Sequence, residues 1–248
     1  MKFTIAVISS LLAASPALAQ TDLLKSGTNA LQTLGGVPGG NANSSLGAGL
    51  SDGQISSGLK DALRIGTQKA VATVGHPGGF LNDKQVHIPL PGPLAQVKSG
   101  LSLAGASGLA DDLEQRINKA AETAAPQAAG IFGDAVGRMS IQDARGILTG
   151  PSDSATQYFK RTTTDQLTQA MKPIVDKSLA GVGALQSYSA LTDKAKTLPF
   201  ASGINLDLSS YVVGKTLDGI FFYLARQEQD IRANPAARTT DALRTVFK

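Results

Sequence analysis

The chain contains only two histidines, His76 and His87, and Asp83 lies between them. Two imidazoles and a carboxylate can hold a zinc ion together with a water molecule. The sequence offers no third strong ligand beside them, no histidine pair at helical spacing and no cysteine to supply a thiolate. We therefore expect no metal centre and no cofactor, and we interpret His76 as a turn residue and His87 as an exposed residue of an extended segment.

Asp218 interrupts the most apolar stretch of the chain. Burying a carboxylate without a partner is costly, so we expect Asp218 to have one. Lys160, Arg161 and Arg238 are the candidate cations. With Asp218 and Tyr158, these three residues form the candidate binding set, and no catalytic residue is identified. A buried structural ion pair is favoured over a carboxylate that lines a pocket.

Other polar residues allow weaker hypotheses of the same kind. Glu114, Asn118 and Glu122 share one helical face, which we interpret as solvated, although paired carboxylates could bind a cation. Asp134 lies near Phe132 and has the same two interpretations as Asp218, a buried structural ion pair or a carboxylate that lines a pocket. Tyr158 precedes two cations and could stack a ligand, but a core aromatic pair followed by surface charges is the more ordinary interpretation.

Helical spacing of apolar residues runs through most of residues 51–248 and predicts a single all-α domain of many helices. Ser51 or Asp52 can cap the first helix, and Ser140 with Asp143 resembles a capping box. Thr164 or Asp165 is predicted to begin a separate helix. The predicted helices lie at about residues 52–74, 94–103, 110–125, 126–139, 141–148, 153–163, 164–179, 184–198 and 208–233, with a further one from residue 239.

Residues 84–90 alternate apolar and polar side chains and are the only strand-like run. Prolines in and after this run remove backbone donors, so a strand here would be short and at an edge. Residues 203–208 are its candidate partner. The domain is therefore expected to contain at most one short two-stranded β element.

The amino-terminal residues 1–19 have the pattern of a secretory signal peptide. Lys2 precedes an apolar run, and the small-residue box at residues 17–19 predicts cleavage before Gln20. Residues 20–50, rich in glycine, asparagine and serine, are predicted to be a flexible arm. We expect a periplasmic or secreted protein without a transmembrane segment after cleavage of the signal.

The net charge of +4 is spread along the chain rather than gathered on one basic face. A nucleic-acid-binding protein normally shows a denser basic surface with interleaved aromatic residues. Nucleic acid is therefore excluded as the expected partner.

Five segments carry a resemblance to a known family: GLKDAL at 58–63, IPLP at 88–91, AAPQA at 124–128, ATQYF at 155–159 and NPAARTTD at 234–241. Over residues 51–248 the chain resembles an exported bacterial family known as domain of unknown function 4197. This resemblance implies a mainly helical secreted or periplasmic protein and supplies no activity and no catalytic residues.

These observations favour a non-enzymatic binding or interaction protein of the cell envelope. Its partner would be an envelope protein or an apolar small molecule held between helices. One alternative is a carboxylate-dependent hydrolase with a central cleft near Asp218. Another is a structural or assembly protein without a small ligand.

Overall fold

The computed structural model describes residues 51–103, 106–196 and 206–238, together with residues 241 and 244. This part of the chain is all-α and contains no strand, which confirms the predicted fold class. The α-helices are α1 (Asp52–Val74), α2 (Gly92–Leu103), α3 (Gly108–Ala124), α4 (Ala128–Arg138), α5 (Ile141–Thr149), α6 (Ser154–Gly181), α7 (Ala184–Ala195) and α8 (Leu208–Ala233).

The predicted signal peptide at residues 1–19 and the predicted arm at 20–50 lie outside the described residues, as does most of the helix predicted from residue 239. Among the helices that are described, none combines the length and the apolar character needed to cross a membrane.

Helix α1 begins and ends where the sequence predicts. The Ser51 side chain accepts a hydrogen bond from the backbone of Gln54, and the Gln54 side chain accepts one from the Ser51 backbone, which completes a capping box. Gly75 follows the last residue of the helix. The helix packs chiefly against α8, α4 and α5.

Helices α6 and α8 form the centre of the bundle. They pack extensively against each other, and α8 also packs against α1 and α3. Burial on α8 falls at helical spacing on one side, and its fully or nearly buried apolar side chains are Leu208, Val212, Val213, Leu217, Ile220, Phe221 and Leu224.

The sequence predicts that α8 is buried on most sides, but one side of the helix, the stripe of Gly214, Asp218 and Phe222, faces outward. Gly214 and Asp218 are exposed, and Phe222 is only partly buried. These positions recur every four residues, so they lie on one side of the helix. Phe222 makes this stripe look apolar in the sequence, whereas in the structure the Arg226 guanidinium lies over its ring at 5.8 Å from the centroid.

Helix α6 is one helix of 28 residues where two were predicted. The proposed break at residues 164–165 does not occur, because the Thr164 hydroxyl donates to the carbonyl of Lys160 at 2.6 Å. Thr163 does the same with Phe159. A threonine hydroxyl that donates to the carbonyl four residues earlier lies inside a continuing helix and does not cap a new one. The helix also continues through Pro173.

The strand predicted at residues 84–90 is also wrong. Val86, Ile88 and Leu90 are buried and Pro89 is exposed, so the alternation in the sequence does mark alternating burial. The backbone nevertheless forms a turn followed by an extended stretch without a strand partner among the described residues. Of the candidate partner, residues 203–205 lie outside the described part, residues 206 and 207 are irregular, and Leu208 begins α8.

Candidate functional site in the cleft between α5 and α6

A cleft of about 440 Å³ opens between the start of α5 and the first two turns of α6. Most of the residues that line it have polar side chains, and one of them is an exposed cation. The residues used below are Ser140, Asp143, Asp153, Gln157, Tyr158 and Arg161.

The α5 side of the cleft is fixed by the predicted capping box. Ser140 Oγ accepts from the Asp143 N–H at 3.0 Å, and Asp143 Oδ2 accepts from the Ser140 N–H at 3.0 Å. The hydrogen bonds from the Ser140 hydroxyl and then from its backbone lower the pKa of the Asp143 carboxyl. Asp143 therefore brings a negative charge to the cleft while holding the start of the helix.

The α6 side is fixed by a buried carboxylate on α8. Glu228 Oε1 accepts from the Ala155 N–H at 2.9 Å, and its Oε2 accepts from the Thr156 N–H and hydroxyl, each at 2.9 Å. Arg232 donates to the same carboxylate at 3.0 Å. An acceptor of this kind satisfies N–H groups that the first turn of a helix leaves without partners. Glu228 thus fixes the first turn of α6, and Tyr158 and Arg161 lie on the turn that follows.

Tyr158 and Arg161 meet at the inner wall of the cleft. The Tyr158 side chain is buried, and its hydroxyl donates to the carbonyl of Ala135 at 3.4 Å. Burial, followed by the charge of Asp143, raises the pKa of the Tyr158 hydroxyl, which therefore stays protonated at neutral pH. The Arg161 guanidinium carbon lies 5.9 Å from the centroid of the Tyr158 ring, a cation–π arrangement.

The Arg161 guanidinium is otherwise available to a ligand. Within residues 51–103, 106–196 and 206–238 it makes no hydrogen bond and no ion pair, and the residue is exposed. A guanidinium carries five N–H donors and recognises carboxylate or phosphate oxygens in pairs. The cleft can therefore bind an anionic group against an aromatic wall.

The structure brings together only two residues of the predicted set, Tyr158 and Arg161. Lys160 lies 5.7 Å from the centroid of the Phe221 ring. Arg238 donates to two backbone carbonyls at the C-terminal end of α8. None of the three candidate cations pairs with Asp218.

The prediction of a buried Asp218 is wrong. Its side chain is 70% exposed, and its partner is Lys215, one turn back on the same helix at 3.0 Å. Asp134 is exposed as well. Helix α8 does carry a buried carboxylate with a cationic partner, but it is Glu228 with Arg232. Their spacing of four residues was the available signal, although this spacing is also typical of exposed pairs.

The helical face interpreted as solvated is instead a second polar site, which we call the α3 clamp: Glu114, Asn118 and Glu122. Asn118 and Glu122 are buried. Glu122 Oε1 accepts from the N–H groups of Phe80 and Leu81 at 3.1 and 3.0 Å. Asn118 binds Ile88 and Glu114 binds His87, both within the strand-like run at residues 84–90, whereas Glu122 holds the residues just before it.

The two histidines lie in different surroundings. His76 is exposed, with Nδ1 2.9 Å from the carbonyl oxygen of Pro77. His87 is bound by the α3 clamp. Nowhere in the described part of the chain do three or more histidine, aspartate or glutamate side chains form a group able to hold a metal ion.

Comparison with known proteins gives a family. No curated protein and no solved structure is significantly similar to this chain. A family model described as "Protein of unknown function (DUF4197)" matches residues 49–248. Because this match covers well over half of the chain, the protein belongs to the DUF4197 family.

Proposed function

We propose that this chain is a non-enzymatic binding protein of the cell envelope and that the cleft between α5 and α6 holds its ligand. The observation that carries the proposal is the Arg161 guanidinium, which faces the cleft with Tyr158 on one side and no ion-pair partner among the described residues. Export to the periplasm or the medium is part of the proposal and rests on the signal-type pattern of residues 1–19.

The lining of the cleft favours a polar ligand over the apolar one expected from the sequence. Arg161 suits a carboxylate or a phosphate ester. Asp143 and Asp153 carry negative charges in the same cleft, and these charges repel a ligand with several negative groups. A ligand that carries a cationic group beside its anionic group fits both sets of side chains, as a zwitterionic amino acid or a short peptide does.

The hydrolase alternative finds less support. Two catalytic carboxylates need a shared cleft and about 5–10 Å between them. Asp218 is paired with Lys215 on the exposed stripe of α8 and does not line the cleft. Asp143 and Asp153 both line the cleft, but the Asp143 carboxylate is engaged in the cap of α5 and the Asp153 carboxylate accepts from Gln157 Nε2 at 2.9 Å. The alternative of an assembly protein without a small ligand is kept as an outcome of the test.

Native mass spectrometry of protein purified from its own envelope tests the proposal. We expect a small molecule to accompany the wild-type protein and to be lost from Arg161→Gln. Arg145→Gln is the matched control, because Arg145 lies on α5, is exposed and pairs with Asp52 away from the cleft. A molecule that both variants retain would place the site elsewhere, and bare monomer in all samples would favour the assembly protein.

A second measurement uses known probes. Thermal shift with inorganic phosphate, acetate, free amino acids and short peptides, each tested with wild type, Arg161→Gln and Arg145→Gln, ranks the ligand classes. The zwitterionic probes are expected to raise the melting temperature of wild type and Arg145→Gln only. Export is tested separately by cell fractionation with and without residues 1–19, and recovery in the cytoplasm in both cases would contradict it.

A further inference from the structure

Both ring nitrogens of His87 face oxygen atoms that can only accept hydrogen bonds. Nδ1 lies 3.0 Å from the carbonyl oxygen of Leu81, and Nε2 lies 2.8 Å from Oε1 of Glu114. A neutral imidazole has one N–H, whereas the protonated ring has two. Only the protonated ring satisfies both contacts, unless Glu114 itself carries the proton.

Glu114 is not the carrier of that proton at neutral pH. Its Oε2 accepts from Lys98 Nζ at 3.0 Å, and Lys98 also pairs with Asp111 at 2.8 Å. Burial raises the pKa of the Glu114 carboxyl, but the hydrogen bonds from His87 and Lys98 outweigh burial, and the net pKa is lowered. The carboxylate is therefore ionised, so hydrogen bonds from both ring nitrogens require the protonated imidazole.

We propose that His87 is a pH-dependent latch that ties residues 81–87 to α3 when it is protonated and releases part of this segment when it is neutral. On deprotonation the charged acceptor, Glu114, keeps the remaining N–H on Nε2. Nδ1 then turns a lone pair toward the Leu81 carbonyl oxygen, and that contact becomes repulsive. Histidine is the side chain whose charge ordinarily changes between pH 5 and 8.

The surroundings of His87 limit what the latch can move. Glu122 still holds the backbone of Phe80 and Leu81, Asn118 still holds Ile88, and Tyr223 still binds Asp83. Only the other residues between these attachments are freed. The titratable groups that face this region come from every neighbouring element: Lys98 from α2, Asp111, Glu114 and Glu122 from α3, Tyr211, Lys215 and Tyr223 from α8, and Asp83 and Lys84 from the segment itself.

The freed residues frame a second cavity, of about 370 Å³, which Asn82, Asp83 and Lys84 line together with His76. Asp83 is tied to α8 by the hydroxyl of Tyr223 and caps its own turn by accepting from the Gln85 N–H at 2.8 Å. Release of the latch therefore changes the shape of this cavity while the helices around it stay in place.

Nitrogen-15 NMR of the histidine rings tests the latch directly. The protein has only two histidines, and His76 is the internal control. We expect His87 to show N–H groups on both nitrogens at pH 5.5 and on Nε2 alone at pH 8.0. A single neutral tautomer of His87 over this whole range would overturn the proposal.

Amide hydrogen exchange measures the consequence for the backbone. The N–H groups of Val86 and His87 both donate to the carbonyl of Asp83 within the segment. After correction for the pH dependence of chemical exchange, their protection is expected to fall about tenfold from pH 5.5 to pH 8.0, the effect of one lost hydrogen bond.

Two variants separate the latch from general loosening. His87→Gln is expected to give low protection of these amides at both pH values, whereas His76→Gln is expected to keep the wild-type pH dependence. If amide protection fell by the same factor between pH 5.5 and pH 8.0 in His87→Gln as in wild type, His87 would not control the segment. Protection that stays constant with pH in the wild-type protein would show the same.

Discussion

Asn118 forms two hydrogen bonds with the backbone of Ile88. Its Nδ2 donates to the Ile88 carbonyl at 2.8 Å, and its Oδ1 accepts from the Ile88 N–H at 2.9 Å. Both residues are buried. A side-chain amide thus supplies the donor and the acceptor that a neighbouring strand would otherwise provide, which explains how the extended stretch stays satisfied without a sheet.

Replacing Asn118 by alanine is expected to leave both backbone groups of Ile88 buried and without partners. An unsatisfied buried group costs about 1–3 kcal/mol, so the free energy of unfolding should fall by about 2–4 kcal/mol. Urea denaturation followed by circular dichroism measures this loss. Gln115→Ala is the control, because Gln115 is an exposed residue of the same helix; equal losses in the two variants would contradict the role given to Asn118.

Glu228 and Asp218 are two carboxylates of α8 that differ in burial, so substitutions at the two positions can be compared. Glu228→Gln replaces a charged acceptor with an amide that cannot accept all the bonds from α6 and Arg232, and we expect a loss of about 3 kcal/mol or more in unfolding free energy. Asp218→Asn should change it by less than about 0.5 kcal/mol, because exposed ion pairs contribute little. Thermal and urea unfolding of both variants give the comparison, and a larger loss in the Asp218 variant would reverse our assignment of the structural carboxylate.

Two glycines of α8 should respond to alanine with opposite signs. A Cβ at Gly219 would lie 2.6 Å from Cε1 of Phe80 and 3.3 Å from Cβ of Val86, so Gly219→Ala is expected to destabilise the fold by about 1–3 kcal/mol. A Cβ at Gly214 meets no atom within 4 Å, so Gly214→Ala should stabilise the helix by about 0.5–1 kcal/mol. Melting temperatures that shift in the same direction would disagree with this packing.

Acidification below about pH 4.5 should weaken the attachment of α3 to α2 and to the 81–87 segment, because Glu114 then begins to lose its charge. The net pKa of the Glu114 carboxyl is lowered from its ordinary value of 4.5. A lowered folded-state pKa means that the ionised form contributes stability above the unfolded-state value and that this stability is lost as the pH falls through the folded-state value. The pKa of Asp111 is lowered too, by its hydrogen bond from Lys98 first.

Unfolding free energies measured between pH 6 and pH 3 test this dependence. Stability of the wild-type protein should decline below about pH 4.5, and Glu114→Gln should be less stable at pH 6 but decline less steeply. Asp193→Asn serves as the reference, because Asp193 forms a mostly exposed pair with Lys196. Identical slopes for wild type and Glu114→Gln would rule out Glu114 as a source of the acid sensitivity.

Local signals predicted the helices well. Ser51, Ser140 and Asp143 form the capping interactions that their spacing indicates, and Gly75 and Pro126 lie at the ends of α1 and α3. These interactions join residues a few positions apart, so a short stretch of sequence contains all the information needed to recognise them.

The polar contacts between distant segments could not be predicted in the same way. Asn118 finds Ile88 and Glu228 finds Thr156 only after the helices have packed. A carboxylate followed four residues later by a cation has the same spacing in a buried pair as in an exposed one, so the sequence does not distinguish Glu228 from a surface residue. Asp218 was predicted to be buried because its neighbours in the sequence are apolar. In the cleft, Tyr158 and Arg161 lie together because both belong to one turn of α6.

The α3 clamp binds residues 80–88 largely through main-chain atoms, since Asn118 and Glu122 contact only backbone groups of the segment. Side chains at exposed positions such as Asn82, Lys84 and Gln85 are not used for this attachment. Substitutions at Asn82 and Lys84 would therefore reshape the rim of the neighbouring cavity and leave the hydrogen bonds of the clamp in place.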